Sequence, residues 1–339
     1  MDMKKTNIYL NQTPINFSDS LIIESKENFN WINWFIGFCD GEGNFQTFPK
    51  KRNYLKKNSG KLLEYYNIGY GFHLSLSIKD KDLLLDIHKN LQNKGKIYEY
   101  AERNEIRLAI TKLEDLYWLV KHIFEQSHIF LNNKKVEGVF LTKYQKERYL
   151  RFKLGLLNKF NRLNSLAEYE EFLSKKDSYQ ILEYIKLKTK HLNLCKETKN
   201  NNKEKIFNLS QKIEYSEAVN LNIKTNLENS LDNWICGFIT GEGCFNITKK
   251  NVLVFYIEQS DKEVLNIIKN RFNFSTSIHF REKRLEGYKD TYSLSASSKK
   301  DINTLISFFN RDTKGFENLK GNKLIQYKIW IKSSPDFDL

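Results

Sequence analysis

Cysteine is scarce in this 339-residue chain, which has only Cys39, Cys195, Cys236 and Cys244. Their spacing gives neither a disulfide framework nor a set of metal thiolates, and no histidine cluster adds to them, so a cross-linked scaffold and a zinc site are both set aside. Three of the four lie in or beside strongly apolar segments and read as small apolar residues of a reducing compartment. No apolar run reaches bilayer-spanning length, and Met1–Leu10 lacks a hydrophobic signal core, so no membrane partner is expected. Acidic residues are outnumbered, 41 Asp and Glu against 55 Lys and Arg, leaving a formal charge of +14. That excess favours a polyanionic partner, nucleic acid first; a merely soluble basic protein is the plain alternative on charge alone.

What the chain does have is one segment written twice. Asn33-Trp34-Phe35-Ile36-Gly37-Phe38-Cys39-Asp40-Gly41-Glu42-Gly43-Asn44-Phe45 returns as Asn233-Trp234-Ile235-Cys236-Gly237-Phe238-Ile239-Thr240-Gly241-Glu242-Gly243-Cys244-Phe245. The Asn, Trp, Gly, Phe, Gly, Glu, Gly and Phe keep their offsets at a separation of 200 residues (242 − 42). A repeat at that distance means two copies of a domain. Each segment predicts a short helix, capped at its start by Asn33 or a neighbour and by Asp232 or Asn233, and apolar on nearly all faces. Gly43 and Gly243 are expected to supply a left-handed stop. Gly37 and Gly41, like Gly237 and Gly241, fall on one face and would let a second backbone approach closely. If the two helices pack together about a pseudo-twofold axis, Glu42 and Glu242 meet at the end of the seam. Two buried like charges repel, and divalent cations would resolve the conflict. A single Gly-Glu-Gly would read as a helix stop with a solvated glutamate; two in the same context argue against that.

Both segments resemble the signature helix of the LAGLIDADG homing endonuclease and maturase family. The resemblance implies that the final acid of each motif, Glu42 and Glu242, binds the catalytic metal, with the backbone of Gly41 and Gly241 beside it. The earlier acid, Asp40 in one copy and Thr240 in the other, is not a metal ligand in that family. It also implies a lysine after the last helix of each repeat, for which Phe130-Leu131-Asn132-Asn133-Lys134 and Leu319-Lys320-Gly321-Asn322-Lys323 offer Lys134 and Lys323. A glutamine closing the second strand is present as Gln259. Its counterpart at an offset of 181 (261 − 80, from the matching Asp-Lys starts of two helices) is Ile78, which implies one site that positions its water less well and cleaves or nicks more weakly.

Taken in order, the chain predicts an α+β fold of two αββαββα repeats. Each has a four-stranded antiparallel sheet forming a DNA-binding saddle, and the repeats are joined at the paired motif helices. The boundaries are 1–28 for an N-terminal leader, 29–150 for the first repeat, 151–229 for a partly helical linker packed outside, and 230–339 for the second repeat. Tyr70–Ile78 is the clearest strand, with Phe72, Leu74, Leu76 and Ile78 to one face and His73, Ser75 and Ser77 to the other. Between the first two strands, Lys50, Lys51 and Arg52 open a long basic loop suited to phosphates; its absence from the second copy makes the halves unequal. The outward sets are Asn44, Gln46, His73, Ser75, Tyr98 and Arg107 in one half, and Asn246, Thr248, His279, Arg281, Lys283, Thr291 and Ser293 in the other. Such side chains hydrogen-bond base edges and phosphates, and paired strands fit the major groove.

These readings converge on a site-specific, metal-dependent DNA endonuclease of the intron-homing type, hydrolysing phosphodiesters at the paired glutamates. Mg²⁺ is the expected cofactor, with Mn²⁺ as its substitute, because it prefers carboxylate, phosphate and water oxygens. The expected partner is double-stranded DNA with a long pseudo-palindromic target, bound by a monomer, with intron RNA as a second partner. An RNA maturase is the alternative function, and a non-cleaving DNA-binding regulator ranks below both. The abundance of lysine, asparagine and isoleucine suits an AT-rich organelle genome, a mitochondrion first and a plastid second.

Overall fold

The computed structural model describes residues 26–55, 62–126, 129–131, 134–135, 139–197, 230–283, 286–287, 289–311 and 318–333. The first repeat runs α1 (Lys26–Glu42), β1 (Gly43–Leu55), β2 (Leu62–Ser77), α2 (Lys81–Asn90), β3 (Lys96–Tyr100), β4 (Glu105–Ile110) and α3 (Leu113–His122). A short pair, β5 (Phe130–Leu131) and β6 (Lys134–Lys135), leads to α4 (Lys143–Leu157), β7 (Arg162–Leu163), α5 (Leu166–Ser174) and α6 (Ser178–Glu197). The second repeat is α7 (Ser230–Glu242), β8 (Cys244–Ile247), β9 (Leu253–Gln259), α8 (Lys262–Phe272), β10 (Ile278–Arg281), β11 (Thr291–Ala296) and α9 (Lys299–Phe309), followed by α10 (Gly321–Lys332).

Each repeat is αββαββα, and the two sheets share one topology. Their orders are β1-β2-β4-β3, with β7 beside β2, and β8-β9-β11-β10. In both, the strands number first, second, fourth, third across the sheet. The registers follow the alternation in sequence: Phe72 faces Ile110, Leu74 faces Leu108 and Leu76 faces Ile106, and all six are buried. Ile257 faces Leu294 and Phe255 faces Ala296 in the second sheet, again buried. A one-residue slip would turn either set to solvent, so the pattern fixes the pairing. Helices α2 and α8 cover these faces with Leu83, Leu84 and Ile87, and with Val264, Leu265, Ile268 and Phe272. At the centre of each core is the phenylalanine that follows the motif. Phe45 lies 5.1 Å from Phe72 and 5.2 Å from Phe140, and Phe245 lies 5.1 Å from Trp330 and 5.3 Å from Tyr327, centroid to centroid.

The chain divides into two compact units. One comprises the described residues within Met1–Phe45, Gly71–Lys146 and Glu228–Leu339, and the other those within Gln46–Tyr70 and Glu147–Leu227. The second unit corrects the reading of residues 50 onward as a loop. Strand β1 continues to Leu55 and β2 restarts at Leu62, because this hairpin has a partner far along the chain: Tyr66 pairs with Leu163 and Asn67 with Arg162. Tyr70 donates its hydroxyl proton to the Phe160 carbonyl and Tyr169 donates to that of Thr47. Phe152, Phe160, Phe172, Ile181 and Tyr184 form a buried core there. The helical patches expected in the linker are present, but as parts of a cored unit that includes the hairpin. The polar stretch Lys196–Lys205 lies, beyond residue 197, outside the described residues, as does the sequence before Lys26.

Candidate active site

Helices α1 and α7 pack through their glycines. A methyl group at Gly37 would come within 1.9 Å of the Trp234 carbonyl oxygen, and one at Gly237 within 1.8 Å of the Trp34 carbonyl oxygen. The two backbones touch, and no residue but glycine fits at either point. Trp34 stacks on Phe38 and Trp234 on Phe238, all fully or almost fully buried. Asn33 and Asn233 do not cap. Helix α1 starts at Lys26, so Asn33 donates one turn back to the Phe29 carbonyl at 3.0 Å, and Asn233 donates across the seam to Asn30 at 2.9 Å. Asp232 is held by Arg271 at 2.5 Å and Arg311 at 2.7 Å, where the first repeat has buried Ile32. Gly43 and Gly243 are not left-handed either; the described glycines with positive φ are Gly95, Gly287 and Gly321. Space is what requires glycine there, since a methyl at Gly43 would lie 2.5 Å from the Cys39 carbonyl oxygen and one at Gly243 2.6 Å from Ile239.

The glycines nearest the end of the seam carry the glutamates. A Cβ on Gly41 would meet the Glu242 side chain at 2.8 Å, and one on Gly241 would meet that of Glu42 at 3.0 Å. Each carboxylate therefore lies over the last glycine of the other helix. Burial pushes the Glu42 carboxyl up to about 7, helped by repulsion from Glu242 and opposed by Lys323. Burial raises Glu242 as well, moderated by Lys323 and by a hydrogen bond from Gln259. Lys323 is itself held below the ordinary lysine range by burial, and its ammonium donates to the Gly243 carbonyl. Glu42, Asp80, Asn322 and Lys323 line one cavity of about 230 Å³, with Ser75, Ser77, Thr240 and Gly241 in its wall. Asp80 fixes the start of α10 by accepting the Asn322 N–H at 2.7 Å.

The other half of this arrangement reproduces the scaffold with other chemistry. Asp261, the counterpart of Asp80, accepts the Lys143 N–H at the start of α4 at 2.8 Å. Gln145 stands where Lys323 stands in the other half: its Nε2 donates to the Gly43 carbonyl and, at 2.8 Å, to that of Cys39. The pairing recurs at a constant offset, 178 (323 − 145), that also matches buried Tyr149 with Tyr327 and buried Phe152 with Trp330. Nothing in the local sequence around Gln145 singles it out. The aromatic pair one and two turns further on is the signal that would have found it. Lys134 falls in β6, and its side chain lies outside the described residues. Asp40 serves the scaffold, accepting from Leu141 N at 2.7 Å and from the Thr142 backbone and hydroxyl.

On the outer face of the first sheet, Ser75, Arg107 and Tyr98 align across three strands, with His73 one row away. Arg107 donates to Ser75 at 2.9 Å and to Glu105 at 2.7 Å. Burial and Arg107 hold His73 below the ordinary imidazole range. On the second sheet His279 faces Ser293, and Arg281 faces Thr291. Arg281 reaches Ser293 at 3.3 Å and Glu258 at 3.9 Å, while Thr291 donates to Glu258 at 2.6 Å. Asn246 and His279 are exposed, but Ser293 is buried within the face. Thr248 and Lys283 lie past the strand ends, Thr248 in a turn where its Oγ1 accepts from Val252 N at 3.1 Å and Lys283 with its N–H on Asp290 at 2.9 Å. Asn44 and Gln46 are partly exposed in β1, and Lys50, Lys51 and Arg52 are exposed in the same strand. The sequence reading missed Glu105 and Glu258, which neutralise one arginine on each face.

Among the described residues no group of three His, Cys, Asp or Glu side chains could hold a metal by itself. Two carboxylates seated over two glycines suit a divalent cation that takes its other ligands from water and phosphate.

The sheets, the glycine seam and the paired acids define a two-repeat α+β protein with an acidic pair at the joined helix ends. Residues 35–144 and 235–334 match the family model for LAGLIDADG endonuclease. The chain belongs to the LAGLIDADG endonuclease family. It is 24% identical to the probable intron-encoded endonuclease aI3 of Kluyveromyces lactis, across 88% of this chain and 64% of that protein. With the probable intron-encoded endonuclease Cox1-I1b of Schizosaccharomyces pombe it shares 26%, across 96% and 70%, and with the uncharacterized mitochondrial protein RF1 of Saccharomyces cerevisiae 25%, across 99% and 61%. The chain thus spans between 61% and 70% of the length of these relatives. Its fold matches the LAGLIDADG homing endonuclease I-LtrWI bound to target DNA, with a TM-score of 0.53 and 23% identity over 89% of both chains. It also matches I-GzeII in complex with its DNA target, with 0.50 and 23% over 88% of both.

Proposed function

We propose that this protein is a divalent-metal-dependent endonuclease that hydrolyses both strands of a specific DNA duplex at the ends of α1 and α7. The observation that carries the reading is the reciprocal seating of Glu42 and Glu242, each half-buried over the other helix's glycine. A packing seam has no use for two facing carboxylates, whose burial costs several kcal/mol unless a cation or a proton compensates. Glu42 and Glu242 are the residues to hold Mg²⁺, or Mn²⁺ in its place, with backbone of Gly41 and Gly241 adjacent; the ion would neutralise charge on the phosphate and lower the pKa of a bound water.

The chain's own residues account for the rest. Lys323, anchored on Gly243, brings a positive charge into the cavity of Glu42 and Asp80, where it stabilises charge developing on a phosphate. Gln259 orients Glu242. The outer faces supply Asn44, Gln46, His73, Ser75, Tyr98 and Arg107 in one half and Asn246, Thr248, His279, Arg281, Lys283, Thr291 and Ser293 in the other, with Lys50, Lys51 and Arg52 on the long hairpin. Two like repeats in one chain fit a monomer on a long pseudo-palindromic duplex, and the extra length of the first hairpin makes its half-sites unequal. The names of the relatives support an intron-encoded, mitochondrial origin.

Purified protein with Mg²⁺ and a library of randomised duplex DNA tests the reading. Discrete cut sites, absent with EDTA, are expected. Folded protein that cuts nothing and binds structured intron RNA tightly would replace this function with splicing assistance.

A further inference from the structure

We infer that Arg162, on the strand that the segment between the repeats adds to the first sheet, reads a guanine in the major groove of the target DNA. The inference rests on the proposed function for its DNA partner, and not on cleavage itself. Strand β7 pairs with β2 so that Leu163 faces Tyr66 and Arg162 faces Asn67, and the Ile68 N–H donates to the Asn161 carbonyl at 3.0 Å. Leu163, Ile68 and Tyr70 are buried, with the Tyr70 ring 6.0 Å from that of Phe152 in α4. Side chains alternate along a strand. Arg162 therefore emerges on the other face, with Tyr65, Asn67 and Gly69, and it is exposed there.

That face holds its cations on rings. A Cβ on Gly69 would come within 2.5 Å of the Phe48 ring and 3.0 Å of the Lys50 side chain, which puts both beside it. Lys50 Nζ lies 4.9 Å from the Phe48 centroid, and the guanidinium carbon of Arg162 lies 4.4 Å from that of Tyr65. Arg107 and Arg281 each have a carboxylate within reach, Glu105 and Glu258. Arg162 has a ring in that role, and a π face takes a cation without neutralising its charge. The planar fork of a guanidinium matches O6 and N7 of guanine, and paired strands fit the major groove. Single-stranded nucleic acid would use the rings themselves as stacking platforms, but here each ring already carries a cation. The arrangement suits base edges in a duplex.

Binding selection from a randomised duplex library in EDTA, followed by sequencing of the bound pool, gives the base preference at every position without cleavage. The proteins compared are wild type, R162A, Y65A, Y65F and K186A. Lys186 is exposed on α6 of the same unit, so K186A removes an equal charge away from the sheet. Wild type is expected to select a guanine at one base pair whose preference R162A lowers by about tenfold to a hundredfold, with the other positions unchanged. Y65A should weaken the same preference by less and reaches the contact by a second route, Y65F should keep it, and K186A should alter none. Thermal melting of R162A should match wild type, because the side chain removed is exposed. A motif that neither R162A nor Y65A changes, a loss of affinity shared equally by all sequences, or a wild type that selects no duplex motif and binds single-stranded RNA overturns the inference. Wild type that selects a motif and yet cuts nothing with Mg²⁺ overturns the endonuclease reading and leaves the guanine contact in place.

Discussion

Helices α1 and α7 make the same contacts with exchanged names: Gly37 on the Trp234 carbonyl and Gly237 on the Trp34 carbonyl, Gly41 under Glu242 and Gly241 under Glu42. The first turns of α4 and α10 also occupy equivalent places, yet one presents Gln145 and the other Lys323. The difference shows where each copy is constrained. A backbone-to-backbone seam leaves no volume to vary, so both copies keep glycine. A side chain that only has to reach one carbonyl can be an amide or an ammonium, and there the halves have parted. Asp232 against Ile32 tells the same story one helix turn before the glycines, an ion-paired acid in one copy and a core residue in the other.

The most severe break falls on the acids. E42Q and E242Q should each lower the cleavage rate by about a thousandfold, equivalent to roughly 4 kcal/mol of lost transition-state stabilisation, in assays at the mapped site. Next come the glycines. G37A and G237A should each destabilise the fold by about 3 kcal/mol or more in denaturant titrations, and by similar amounts; a large inequality would deny the equivalence of the two helices. D232N should cost about 2–3 kcal/mol by the same measurement, because it removes the charge that two arginines share in a buried place, and it has no counterpart to test in the first repeat.

These contacts differ in how far the sequence reveals them. The glycine face and the paired glutamates were legible because identical spacing in two copies exposes a shared geometric demand. The repeat order and the inward strand faces were legible from alternation. Gly43 and Gly243 were read for the wrong reason, a turn conformation in place of a lack of room, since sequence shows that glycine is needed but not which atom crowds it. The hairpin of β1 and β2 read as a loop because its exposed residues are basic and its pairing partner, Leu163, lies about a hundred residues away. Gln145 escaped because a search for lysine near the last helix of the repeat finds Lys134 first, and only the offset set by Tyr149 and Tyr327 points past it.

Acidity sharpens the comparison more gently. The Glu42 carboxyl lies at about 7 in the folded protein against 4.5 ordinarily, so the folded state holds a proton that the unfolded chain has already released. Its contribution to stability is full below about pH 4.5 and is lost as pH rises through 7, a loss of about 2 kcal/mol in metal-free protein once partial exposure is allowed for. Thermal melting in EDTA across that range should show the decline, and E42Q should flatten it. The smallest effect belongs to the hairpin that only one half carries at length. Replacing Lys50, Lys51 and Arg52 with glutamine should reduce the slope of log affinity against log salt by up to about 3 and leave the cut site unchanged.

The central claim is that Glu42 and Glu242 face each other as one strained pair, and a double-mutant cycle in metal-free buffer at pH 8 tests it without knowledge of the target. Stabilities of wild type, E42Q, E242Q and the double variant should show each single substitution raising stability, and the double raising it by less than the sum of the singles. The shortfall, about 1 kcal/mol or more, is the repulsion that either single change already removes. Strictly additive effects, or singles that destabilise, would mean that the two carboxylates do not share a site.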